Sequence, residues 1–126
     1  LLTIFTLVFT VMFSSTSFAG WTKVAENVNG TYYVDFERIR KHGDYTKFWE
    51  LVDLLKPDKD GDLSYKLYQE GDCKLFRYKY LSSSNYKQPM GGGRESVINK
   101  PDKEWRYPSP YSMNEIVLKS VCDYAK

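Results

Sequence analysis

The chain has 126 residues, with 18 Lys and Arg against 16 Asp and Glu, and its formal net charge is +2. This near balance argues against a nucleic-acid-binding protein, because such proteins usually carry a clustered basic surface. There is no nucleophile elbow or complete phosphate-binding loop. The two cysteines and the single His42 are too few ligands for a zinc site. We therefore expect no enzymatic activity, no metal and no cofactor.

The first segment, Leu1–Phe13, is apolar and is followed by a short run of hydroxyl residues. Ser17 and Ala19 then occupy the two small positions of a secretory cleavage site. We expect residues 1–19 to be a cleaved signal peptide, N-terminally incomplete because its charged start is missing, and residues 20–126 to be one domain. An uncleaved anchor is the alternative, but the apolar core is shorter than the ~20 residues that span a bilayer.

The mature chain opens with two predicted strands, Trp21–Glu26 and Thr31–Asp35, joined by a turn at Asn27–Gly30. Asp35 is a plausible cap for a short helical turn over Phe36–Arg40.

A second turn, Lys41–Asp44, places His42 on the surface. The longest predicted strand, Tyr45–Leu55, is largely apolar on both faces, and we expect it to be central in the sheet. After Pro57 the chain turns again.

Two further strands, Leu63–Gln69 and Cys73–Ser82, are predicted around a turn at Glu70–Asp72. The polar, Gly-rich stretch Ser82–Ser96 predicts a mobile loop. An extended connector, Pro101–Pro110, follows it.

The last segment has the pattern of an amphipathic helix. Ser112 and Glu115 match a capping box. Apolar residues recur at helical spacing at Met113, Val117, Val121 and Tyr124. The predicted fold class is therefore α+β, a single antiparallel sheet of about five or six strands with this C-terminal helix packed on it.

The two cysteines, Cys73 and Cys122, are predicted to form one disulfide, which is the default for a small exported domain. Closing a loop of this length should stabilise the fold by about 4 kcal/mol. Two free thiols are the alternative.

One stretch combines cations with aromatic rings and is the candidate binding segment for an acidic partner. Its residues are Lys74, Arg77, Tyr78, Lys79 and Tyr80. The alternative is an edge or a solvent face of the sheet, where lysines deter aggregation between strands. Another stretch, Asp58–Asp62, resembles part of a calcium loop, but Leu63 stands where the loop needs glycine and Gln69 where it needs an acid. We therefore expect no metal there.

Several features in order resemble the bacterial surface-adhesin protein E family over essentially the whole mature chain. They are Trp21, Gly30–Asp35, Trp49, Asp72–Cys73, Met90–Gly91, Trp105 and Val121–Cys122.

The resemblance implies an antiparallel sheet with a C-terminal helix and export to the envelope of a Gram-negative bacterium, either the periplasm or the cell surface. In characterised relatives it implies adhesion to host matrix or serum proteins, and it allows a homodimer. No lipid anchor is expected, because Gly20 rather than a cysteine follows Ala19. The expected partner is an extracellular protein or polysaccharide, with no nucleic acid and no membrane span after cleavage. The alternative is a periplasmic protein that binds a small ligand or has a structural role.

Overall fold

The computed structural model describes residues 20–126, so the predicted signal peptide lies outside the described residues. Seven strands are followed by one helix, with 3₁₀ turns at Phe36–Arg38 and Pro89–Gly91. The elements are β1 (Thr22–Glu26), β2 (Gly30–Val34), β3 (Arg40–His42), β4 (Tyr45–Leu54), β5 (Ser64–Asp72), β6 (Arg77–Tyr86), β7 (Glu95–Ile98) and α1 (Met113–Tyr124).

The strands form one antiparallel sheet in the order β1-β2-β4-β5-β6-β7, and the short β3 pairs with the first residues of β4. The predicted α+β class is confirmed, as is the central place of β4. Asp35 caps the first 3₁₀ turn as predicted, since its carboxylate accepts a 3.2 Å hydrogen bond from the Glu37 amide.

The prediction of a turn at Glu70–Asp72 is wrong, because β5 continues through Asp72 and the turn comprises the next four residues, up to Phe76. The carboxylate of Asp72 accepts hydrogen bonds from the amides of Lys74 and Leu75, which fixes this turn. Phe76 completes it with φ +53°. Cys73 therefore lies in the turn and not at a strand start.

The prediction of a loop over Ser82–Ser96 is wrong at both ends of the stretch, and residues 87–94 alone connect two strands. The serines continue β6 as far as Tyr86, and Glu95–Ile98 forms β7 beside them. Pairing on both sides satisfies the backbone of Ser83–Tyr86, which overrides the weak strand preference of Ser and Asn. A bulge at Leu81 shifts the register and reverses which face later residues of β6 occupy.

The sheet has two different faces. The helix face packs against α1 through Val34, Phe48 and Tyr78. The opposite face carries a smaller cluster of Trp21, Tyr33 and Leu51.

The helix begins at the predicted cap, where the Ser112 hydroxyl accepts a 3.2 Å hydrogen bond from the Glu115 amide. The Glu115 carboxylate accepts from the amide of Tyr111 and not from that of Ser112. The buried helix residues are Val117, Leu118 and Val121. The predicted apolar position Tyr124 is mostly exposed, because the stripe that meets the sheet is centred on Val117 and Val121.

Candidate binding surfaces

The five predicted binding residues are divided between three places. Arg77 and Lys79 project from the opposite face, whereas Tyr78 and Tyr80 lie on the helix face, because neighbouring residues of a strand alternate. Lys74 is exposed in the turn. β7 pairs with β6 only at Ser83–Tyr86, so along Arg77–Tyr80 the outer side of β6 is bordered by the connector, through a bridge between Tyr78 and Arg106.

On the opposite face, the ring of Trp105 contacts both Arg77 and Lys79. The Arg77 guanidinium carbon lies 4.4 Å from the ring centroid and the Lys79 ammonium 4.7 Å. Tyr45 packs against the same ring at 5.1 Å between centroids. Arg77 is held by Asp72, with 2.8 Å between Nε and Oδ2. We call Tyr45, Arg77, Lys79 and Trp105 the Trp105 cluster.

Beside this cluster, a row of charged residues crosses four strands of the opposite face. The register aligns Arg40 with Lys47, Lys47 with Glu70, and Glu70 with Lys79. Three of these four residues are cationic. Sequence reasoning missed Arg40 and Lys47, because they are distant in sequence from Lys79 and only the strand register aligns them.

The disulfide is present as predicted and joins Cys73 in the β5–β6 turn to Cys122 on α1, with 5.6 Å between the Cα atoms. It therefore ties the helix to the end of the hairpin that carries Arg77.

A cavity of about 640 Å³ opens on the helix face. It lies between the β1–β2 turn, the segment after β4 and the start of α1. Its wall includes tyrosines from three strands, Tyr32, Tyr65 and Tyr80, and the carboxyl of Glu50. Volumes of this size are typical of small-molecule sites.

Glu50 is only 1% exposed, and its Oε1 accepts a 2.5 Å hydrogen bond from Nε2 of Gln69. Burial raises the pKa of Glu50 to about 7, against a smaller lowering by Gln69. Burial also raises the pKa of Tyr80 well above its usual range. Sequence reasoning missed this site. The one feature of the sequence that could have indicated it is the acid Glu50, which lies among apolar neighbours on one face of the predicted central strand.

The acidic loop after β4 brings together Asp58, Asp60 and Asp62. Hydrogen bonds from the amides of Asp60 and Asp62 and from the Tyr65 hydroxyl engage Asp58. The Lys87 ammonium lies 2.9 Å from Asp62 Oδ1 and donates to the carbonyl of Asp60. Lys87 thus supplies positive charge at this loop.

The fold and its disulfide define a small α+β domain, with one antiparallel sheet and a C-terminal helix joined to it by the Cys73–Cys122 bond. A model of the surface-adhesin protein E family matches residues 21–123, and the chain belongs to this family.

Solved structures agree with this assignment at the level of the fold. Crystal form II of Haemophilus influenzae protein E matches with a TM-score of 0.66 and 21% identity, covering 93% of this chain and all of that chain. Another structure of the same protein has a TM-score of 0.63 and 20% identity over 89% and 91% of the two chains. Protein E from non-typeable H. influenzae has a TM-score of 0.61 and 20% identity over 85% and 78%.

No curated protein sequence gives a significant match. Within residues 20–126, no helix is both long and apolar enough to cross a membrane.

Proposed function

We propose that this protein is an exported, non-enzymatic protein of the bacterial envelope that binds an acidic segment of an extracellular protein. The binding surface combines the cross-strand row Arg40, Lys47 and Lys79 with the Trp105 cluster. The observation that carries the proposal is this alignment of cations beside a tryptophan on the face away from α1. Membership of a surface-adhesin family supports the same class of function.

The charges and rings of this surface suit such a partner. Arg77 is already paired with Asp72, whereas Arg40 is exposed. Tyr107 is 64% exposed, and its hydroxyl lies 3.5 Å from Arg77. Aromatic residues and arginine are enriched where proteins bind one another, and complementary charge mainly speeds association.

The proposal is tested by measuring binding to immobilised extracellular-matrix and serum proteins by biolayer interferometry. The variant Arg40→Glu/Lys47→Glu reverses two cations of the row. The control, Lys56→Glu/Lys59→Glu, makes the same change of net charge in the exposed loop after β4, at the other end of that strand. We expect the first variant to lose about tenfold or more in affinity and the control to bind as the wild type does.

Equal losses in both variants would indicate a response to net charge alone and would contradict the proposed surface. Heparin is included as a second immobilised partner. If heparin binds more tightly than every protein, and the row variant abolishes that binding, the partner is a sulfated polysaccharide.

Display on the cell surface is a separate part of the proposal. Protease treatment of whole cells should degrade the protein if it is displayed outside the outer membrane. If it is protected until the outer membrane is opened, it is periplasmic, and an adhesin role is excluded.

A homodimer is also proposed, with β7 as the contact. This strand is at the end of the sheet order, all four of its residues are exposed, and Val97 and Ile98 are 54% and 47% exposed. Unpaired edge strands readily pair with another chain. The molar mass measured by light scattering should be that of a dimer for the wild type and that of a monomer for Val97→Lys.

A further inference from the structure

The cavity on the helix face has no part in the proposed adhesion, because the row and the Trp105 cluster lie on the other side of the sheet. Two apolar side chains that line it, Val28 and Leu55, are 87% and 68% exposed. Single exposed apolar residues are ordinary, but these two lie beside a cavity large enough for a small molecule.

Inside the cavity is a buried carboxyl group without a cationic partner. Glu50 lines the wall although its side chain is almost fully buried. Among residues 20–126, the Gln69 amide donates to Oε1 of Glu50, and none of the ion pairs involves Glu50. Buried charges in proteins are normally paired. A cation that enters the cavity can therefore supply the partner that the fold does not.

The rest of the wall suits an ammonium group on an apolar body. Tyrosine rings attract ammonium groups through their π faces, and three tyrosines contribute to the wall. Asn114 donates from Nδ2 to the Tyr78 hydroxyl at 3.0 Å, which leaves its amide oxygen as an acceptor. Aliphatic side chains complete the lining, namely Val52, Leu54 and Leu67.

We propose that this cavity is a binding site for small primary amines, in which the ammonium pairs with Glu50 and the apolar body packs against the tyrosines. The charged groups at the cavity rim are Lys56 and Asp58, and α1 contributes only the uncharged Asn114. The tyrosine that faces Glu50 from β6, Tyr80, is protonated at neutral pH like any tyrosine, and burial raises its pKa further.

The test compares phenethylamine with 2-phenylethanol, which has a similar body without the charge. Binding to the wild-type domain is measured by calorimetry and by NMR shifts at pH 7.5. We expect phenethylamine to bind about tenfold or more tightly than the alcohol and to shift signals of residues that line the cavity. Equal affinities, or no binding of the amine up to about 10 mM, would overturn the proposal.

The decisive variant is Glu50→Gln, which keeps the size of the side chain and removes its charge. Its matched control is Glu70→Gln, on the opposite face beside Lys47 and Lys79. Glu50→Gln should remove the preference for the amine, and Glu70→Gln should retain it. If Glu50→Gln binds the amine as well as the wild type does, Glu50 does not pair with the ammonium and the site assignment fails.

A second measurement needs no variant. The pKa of Glu50 is about 7 without an amine, and an adjacent ammonium will lower it. Amine binding near pH 7 should therefore release a fraction of one proton per amine, seen as a difference in binding heat between phosphate and Tris buffers. Identical heats, after correction for ionisation of the amine itself, would contradict pairing with Glu50.

Discussion

Gln69 donates a 2.5 Å hydrogen bond from Nε2 to Oε1 of Glu50, and both side chains are buried between the sheet and the cavity. The two residues occupy neighbouring strands, with Glu50 opposite Leu67 and Gln69 opposite Phe48. A neutral amide can stabilise a protonated acid, because the carbonyl and NH₂ groups offer both an acceptor and a donor. It compensates an ionised carboxylate less well than a cation does. Burial therefore raises the pKa of Glu50 to about 7, and the hydrogen bond from Gln69 lowers it by less.

The first prediction concerns stability between pH 4.5 and 7. Folding raises the pKa of Glu50 from 4.5 to about 7, so the folded state binds more protons than the unfolded state in this window. The contribution of Glu50 is therefore most favourable below pH 4.5, and it is lost as the pH rises to 7. The loss corresponds to about 3 kcal/mol. In urea unfolding, the free energy of unfolding of Glu50→Gln should vary less with pH than that of the wild type. At pH 8 the variant should be more stable than the wild type by about the same amount.

Glu70→Gln is the control, and its profile should follow the wild type. Burial raises the pKa of Asp72, but Arg77 and the backbone amides of Lys74 and Leu75 together lower it by more. Arg106 lowers the pKa of Asp102, so both carboxylates affect stability at more acidic pH. A wild-type profile that is flat from pH 5 to 8 would refute the raised pKa.

Sequence patterns were sufficient for the parts of the fold that depend on local chemistry. The Ser112 cap, the helix after it and the long apolar strand Tyr45–Leu55 were predicted closely. The loop prediction failed at both ends of Ser82–Ser96, because β6 pairs there with β5 and with β7. Nothing in a run of serines indicates that long-range pairing.

The candidate sites were less predictable than the fold. Lys79 was predicted from the cations and aromatic residues next to it in the sequence. Its alignment with Lys47, however, depends on the register of β5 between them. Tyr78 and Tyr80 were grouped with the cations, although strand alternation places them on the helix face. The Glu50 cavity combines residues from four strands, two turns and the helix, and no spacing in the sequence reveals it.

The second prediction concerns Gly30, where β2 approaches β4 too closely for a side chain. A Cβ atom at this position would lie 2.4 Å from the carbonyl oxygen of Asp53. Gly30→Ala must therefore displace one of the two paired strands and should destabilise the domain by more than about 2 kcal/mol. Thermal unfolding measures the change.

Gly43→Ala is the matched control for that prediction. Gly43 has φ +64° but no atom within 4 Å of a Cβ. Gly43→Ala therefore introduces backbone strain without a steric clash, and the free energy of unfolding should fall by about 1 kcal/mol. Equal losses at Gly30 and Gly43 would show that the close approach of β2 to β4 is not the cause.

The third prediction concerns Asp102, which fastens the connector before α1 to β6. Its carboxylate accepts a 2.9 Å hydrogen bond from the Tyr80 amide and a bidentate pair from Arg106. Asp102→Ala leaves these donors without this acceptor and should destabilise the domain by about 1–3 kcal/mol. Limited proteolysis should then cleave the connector more rapidly than in Asp123→Ala, which removes an exposed acid on α1. Equal cleavage rates would contradict the anchoring role.

The last prediction concerns the Cys73–Cys122 disulfide, which closes a loop of 49 residues in sequence separation. Removing it in Cys73→Ser/Cys122→Ser frees the unfolded chain and should lower the free energy of unfolding by about 4 kcal/mol. Wild-type protein unfolded in the presence of a reductant should match the double variant, since both lack the same crosslink. The loss should be accompanied by faster amide exchange in α1 than in β4, because the bond connects the helix to the β5–β6 turn and the central strand keeps its partners on both sides. Uniform acceleration across both elements would instead mean that the helix and the sheet unfold as one unit without the crosslink.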